Sequence, residues 1–171
     1  MDHLRYPIGK PQFKENYTSD DLKIAIGVIK NFPESLKDQL SKMTKEQLAA
    51  PYRPEGWTGN QVVHHLADSH INAYVRTKFT LTQQPVTIMP YNEEDWALTP
   101  DVDVVPIDAS VQILEGIHRR WSGLLEAIDE DFFDSSYFHP GNNREWKLKK
   151  VVHLYEWHCR HHLGHLKILD K

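Results

Sequence analysis

"YEWHCRHHLGHLK", Tyr155 to Lys167, places four of the chain's 11 histidines within eight residues. The run belongs to a helical pattern that starts near Leu148. Val151, Tyr155, Cys159, Leu166 and Leu169 recur at the interval that lines up one face of a helix. At about 100° of rotation per residue, His158 and His162 fall within about 40° of each other, one turn apart and inside that apolar stripe. Both face the interior of a helical fold. His165 sits at the edge of the stripe, His161 further round beside Trp157 and Ile168, and His153 on the solvent side. Two imidazoles at i and i+4 are spaced for a shared metal ion, and equally for two core histidines bonded to buried carbonyls.

Three further helical patterns precede this one. The first begins near Ser19, with Asp20 and Asp21 in its opening turn, and carries Leu22, Ile26, Ile29, Leu36 and Leu40; Pro33 is expected to kink or divide it. Thr44 and Gln47 have the spacing of a capping box and predict a short helical turn. The second long helix opens at Thr58, with Gln61 as its capping partner, and runs to about Thr80. The third starts near Asp108 or Ser110 and carries Val111, Leu114, Ile117, Trp121, Leu124, Leu125 and Ile128. Residues 81–107 form a long, proline-punctuated connection with one helical turn near Asn92 to Ala97, which reads as a lid, a substrate wall or a dimer arm. "DSSYFHPGNNREWKL" reads as a loop or a small hairpin around Pro140 and Gly141. Four amphipathic helices with long connections predict an all-α four-helix bundle, with residues 1–171 as one domain.

Composition narrows the function. A net charge of -4 with both signs interspersed offers no basic stripe, so nucleic acid is not an expected partner. No apolar run is long enough for a membrane span or a secretory leader, which predicts a soluble, cytoplasmic protein acting on a small molecule. The single cysteine, Cys159, excludes an intrachain disulfide and points away from the direction of His158, as a buried apolar thiol. "KLKK", Lys147 to Lys150, reads as a solvated or partner-facing patch.

The second helix has its own histidines, in "GWTGNQVVHHLADSH", Gly56 to His70. Val62, Val63, Leu66 and Ala73 define its apolar stripe. His65 borders this stripe, His70 also faces inward, and His64 lies almost opposite. Asp68, three residues after His65 on the same side, is a candidate catalytic carboxylate, placed to orient an imidazole or act as a base, with a solvated surface charge as the alternative; Tyr155 and the acidic residues of the 82–107 connection are the other candidate bases. The His-Glu-x-x-His pattern of zinc proteases is absent, since Cys159 follows His158 and Glu156 points away from the shared face. His64, His70, His161 and His165 remain candidates for a supporting or fourth-ligand role.

"GWTGNQVVHHLADSH" together with "LYEWHCRHHLGHL", and with "YPIG", "PYRPEGW", "MPYNEEDW", "HRRW" and "FHP" elsewhere, resembles the YfiT branch of the DinB-like four-helix-bundle metalloproteins. The resemblance implies a homodimer and one divalent metal per chain, Zn2+ or Ni2+, held by His65, His158 and His162, with a metal-dependent hydrolase activity. Three histidines leave a tetrahedral ion one open position, the form of a catalytic site. Two alternatives use the same residues. One is a low-molecular-weight thiol S-transferase of the bacillithiol or mycothiol type, which the bundle also resembles; the other is a metal-binding stress-response module without catalysis.

Overall fold

The computed structural model describes residues 2–171. Its order is α1 (Asp2–Arg5), α2 (Ser19–Leu40), α3 (Lys45–Ala49), α4 (Gly59–Thr82), α5 (Glu93–Trp96), α6 (Asp101–Val104), α7 (Ile107–Ala127), a 3-10 turn over Glu130–Asp134, strand β1 (Ser136–His139), strand β2 (Arg144–Lys147) and α8 (Leu148–Leu169). The four long helices, α2, α4, α7 and α8, are those the periodicity predicts. No helix among the described residues is long and apolar enough to cross a membrane.

Capping residues set the helix starts. Thr58 accepts from the Gln61 N–H while the Gln61 side chain accepts from the Thr58 N–H, so two otherwise unbonded donors at the head of α4 are satisfied reciprocally. Thr44 and Gln47 do the same for α3. At α2 the cap is Thr18 with Asp21, one residue before the expected Ser19. Pro33 does not divide α2, which is one helix from Ser19 to Leu40. A proline inside a helix costs about 3 kcal/mol, and here the buried row Leu22, Ile26, Ile29, Phe32 and Leu36 offsets that cost.

The packing order departs from the chain order. α2 packs against α7 and α8, and α4 packs against the same two, so consecutive long helices α2 and α4 face each other diagonally. α7 and α8 form the other diagonal. Diagonal neighbours cannot be joined by a tight turn, which accounts for the long connections from α2 to α4 and from α7 to α8. The stretch between α7 and α8 folds into an antiparallel hairpin in which Tyr137 pairs with Trp146. Ile88 donates to the Phe138 carbonyl and Phe138 to that of Val86, tying the 83–106 connection to this hairpin. Lys147 and Lys149, read as a solvated patch, both pair with Asp134, at 2.9 and 2.7 Å.

Two apolar clusters fill the bundle. One includes Leu22, Ile29, Trp121, Leu125 and Tyr155; the other includes Phe32, Leu36, Val62, Leu66, Leu114, Cys159 and Leu166. A layer of histidines lies between them. His70 and His118 contact Phe32 on one side and Trp121 on the other.

Candidate metal centre

α4 supplies His65, and α8 supplies His158 and His162. Each offers a ring nitrogen, and the three atoms lie within 4.8 Å of one another. The Nε2 atoms of His65 and His158 are 3.2 Å apart. His65 and His162 are buried, while His158 is half-buried at the floor of a cleft of about 490 Å³. The structure thus brings together the three residues that the sequence pattern and the resemblance single out.

A metal ligand must present a lone pair, so protonation decides whether the cluster can bind an ion. Burial disfavours imidazolium and lowers the His65 pKa to about 4, with neighbouring His165 adding to the effect. His158 and His162 are pushed well below the usual imidazole range, first by burial and then by the other histidines. Neutral imidazoles crowded without a carboxylate, each holding a lone pair, fit a divalent cation.

Aromatic rings and the N-terminal segment close the site. Trp57 packs against His65, with ring centroids 4.7 Å apart, and lies parallel to His162. Tyr52 stacks on His165 at 3.9 Å. Trp57 stands one residue before the Thr58 cap, and that position at the head of α4 is the sequence signal for its place beside His65. Gly164 lets the segment after α1 lie on α8, since a Cβ there would meet Pro7 Cγ at 2.8 Å. Trp157 donates to the Gly9 carbonyl, fastening the same segment.

The 83–106 connection contributes Glu93, Glu94 and Leu98 to the cleft, and Arg5, Arg53 and Glu55 complete its charged rim. The connection therefore forms part of the cleft lining. Gln61 holds it by donating to the Ala97 carbonyl at 2.9 Å.

The remaining candidates are placed as follows. Asp68 lies outside the cleft lining; its carboxyl is half-buried, and burial followed by the charge of Asp101 raises its pKa to about 6. Glu156 pairs with Arg160 at 2.6 Å. Cys159 is fully buried and its thiol pKa is raised well above the usual value by that burial. His64, expected opposite the stripe, is buried too, with Nδ1 2.8 Å from Ser110 Oγ of α7. The helical wheel misplaces it because the first part of α4, from Gly59 to Tyr74, has no exposed residue, with α7, α8 and the short helices packed around the helix. His161 stacks on Trp157, and His165 reaches the Arg5 carbonyl.

The family model for the DinB superfamily matches residues 31–166. The chain belongs to the DinB superfamily. Within it, the chain is 41% identical over 171 residues to a Bacillus cereus protein named "Putative metal-dependent hydrolase", covering 100% of this chain and 98% of the relative. A Bacillus licheniformis relative of the same description is 40% identical, over 98% of this chain and 95% of its own. Among solved DinB-like structures, Bacillus subtilis YfiT, described as "a probable metal-dependent hydrolase with an unusual four-helix bundle topology", superposes with a TM-score of 0.94 at 37% identity, over 98% of this chain and 95% of YfiT. The mycothiol-dependent maleylpyruvate isomerase shares the fold, with a TM-score of 0.67 at 15% identity over 85% of this chain and 60% of that one.

Proposed function

We propose that this DinB-superfamily chain is a hydrolase of small molecules that depends on one divalent ion, zinc or nickel, held by His65, His158 and His162. The observation that supports this most is the convergence of three neutral imidazoles, two buried and one half-buried, at an open cleft. An ion held there would supply Lewis acidity, polarising a carbonyl and either lowering the pKa of a water toward about 7 or holding a thiol as its thiolate.

The chain's own residues complete the site. Three neutral donors leave the ion's charge uncompensated, which preserves its Lewis acidity. Trp57 and Tyr52 line the cleft and pack on His65 and His165, which holds those rings in place. Arg5 and Arg53 stand on the rim beside Glu55, Glu93 and Glu94, so the entrance offers both signs of charge to a substrate. Glu93, an acidic residue of the connection whose pKa is raised by desolvation and by Glu94, lines the cleft and is the carboxylate proposed to take up and return a proton.

The test is elemental analysis of untagged protein, followed by assays on an ester and amide panel and on a cysteine-plus-electrophile mixture. About one zinc or nickel per chain with turnover of an ester or amide supports the hydrolase. Turnover only in the thiol mixture replaces hydrolysis with thiol transfer at the same residues. Metal without turnover in either assay leaves a binding module, and absence of metal overturns the reading. Glu93→Gln should cut turnover by about 10²- to 10⁴-fold while metal content stays unchanged.

A further inference from the structure

Pro33 sits in the middle of α2, where the residue at that position would normally donate its N–H to the carbonyl of Ile29, one turn earlier. Proline has no N–H, so this carbonyl lacks its helical donor. His118 of α7 supplies one instead, with its Nδ1 bonded to the Ile29 oxygen. Ile29 and His118 are both fully buried.

The polarity of the bonds that follow is fixed by elimination. A carbonyl only accepts, so His118 Nδ1 carries the proton, and in a neutral imidazole Nε2 is then an acceptor. It lies 2.6 Å from His70 Nδ1, which must donate. His70 Nε2 is in turn an acceptor, 3.0 Å from His158 Nδ1, which donates to it. The nitrogen left bare is His158 Nε2, the atom facing His65 Nε2. Running the chain the other way would require an imidazolium at His118. Among the described residues, no carboxylate bonds to His118 or His70 to compensate such a charge, and burial opposes it.

We infer that Pro33, the Ile29 carbonyl, His118 and His70 form a directional hydrogen-bond chain that orients His158 and fixes its tautomer, presenting Nε2 to the ion. His70 and His118 are positioning residues, and Pro33 frees the carbonyl on which they are anchored. The second ligand of α8 shows a shorter version of the same device. His165 Nε2 lies 3.2 Å from the Arg5 carbonyl and must donate to it; His165 Nδ1 then accepts from His162 Nδ1 at 3.3 Å, leaving His162 Nε2 bare. This inference rests on the metal reading above for its purpose, while the tautomers can be read without any metal.

The test combines imidazole nitrogen NMR on the chelator-treated full chain with Zn2+ titration against a competing chromophoric chelator. The His158 spectrum should show a protonated Nδ1 and a bare Nε2. His118→Phe should scramble this tautomer and weaken Zn2+ binding by about 10- to 100-fold, whereas His118→Gln, which offers an acceptor to His70 and a donor to Ile29, should restore most of both. Pro33→Ala returns a competing N–H to the Ile29 carbonyl. It should raise or preserve thermal stability while weakening Zn2+ roughly threefold, the effect being small because a carbonyl has two lone pairs. A His158 with Nε2 protonated in the wild type overturns the inference, as does wild-type affinity in both His118→Phe and Pro33→Ala. A wild-type chain that binds no divalent ion but shows the expected tautomers defeats the proposed function and leaves the hydrogen-bond chain standing.

Discussion

The Nε2 atoms of His65 and His158 stand 3.2 Å apart although 93 residues separate them in the chain. Two nitrogens each about 2.0–2.1 Å from one tetrahedral zinc would be about 3.3 Å apart, so the spacing matches what a shared ion requires. His65→Ala, His158→Ala and His162→Ala should each reduce bound zinc or nickel to background in elemental analysis. His153→Ala, which removes a ring stacked on Tyr17 away from the cleft, should leave metal content unchanged. Full metal retention in any of the first three would remove that residue from the ligand set.

Acid should loosen the metal-free protein well before ordinary carboxylates titrate. Burial lowers the pKa values of His65, His118 and His165 from 6.5 to about 4. Between those limits the unfolded chain binds more protons than the folded one, so stability rises with pH across that window. It is complete above about pH 6.5 and lost progressively as pH falls toward about 4. Asp68, raised from 3.8 to about 6, and Glu93, also raised, act in the opposite sense, but the lowered histidines, which include His158 and His162, outnumber them. The urea midpoint of chelator-treated protein should therefore fall steadily from pH 7 to 4.5. A flat profile contradicts the buried-neutral assignment.

Cys159 should be silent toward thiol reagents in the folded state. Its side chain is fully buried, and burial holds the thiol protonated. Labelling by a chromogenic disulfide should proceed at the rate of unfolding and accelerate with urea. Rapid labelling in buffer would show that α8 opens locally.

Gly164→Ala should fail to stabilise α8, although alanine is favoured over glycine inside a helix by about 1 kcal/mol. The added methyl would fall 2.8 Å from Pro7 Cγ and displace the N-terminal segment from the cleft rim. Proteolysis between residues 3 and 10 should quicken. A more stable variant with unchanged cleavage would refute this contact.

Ser110→Ala should destabilise the protein by about 1–3 kcal/mol in urea unfolding, because it strips the only bonded nitrogen of a buried imidazole. His64 Nε2 has no partner, and Nδ1 depends on Ser110 Oγ. Metal content should not change.

The parts of this fold visible in the sequence are those governed by local rules. Helix periodicity and the Thr58 and Gln61 cap mark α4, and the i to i+4 relation of His158 and His162 follows from helix geometry alone. What required coordinates is set by contacts between distant segments. Pro33 reads locally as a helix breaker; only the position of His118, 89 residues from Ile29, shows what the missing N–H makes available. His64 is misjudged for the same reason, since a wheel assumes one solvated face and the part of α4 from Gly59 to Tyr74 has no exposed residue. His118 itself carries no motif that marks it apart from its place in "HRRW".

The cleft divides its labour between two kinds of backbone. His65, His158 and His162 project from long helices locked into the bundle, whereas Arg5, Arg53, Glu93, Glu94 and Leu98 ride on short turns and connecting segments. Substitutions in those segments can retune what is admitted without disturbing the anchor beneath, so one scaffold can serve different small molecules through changes confined to its edge.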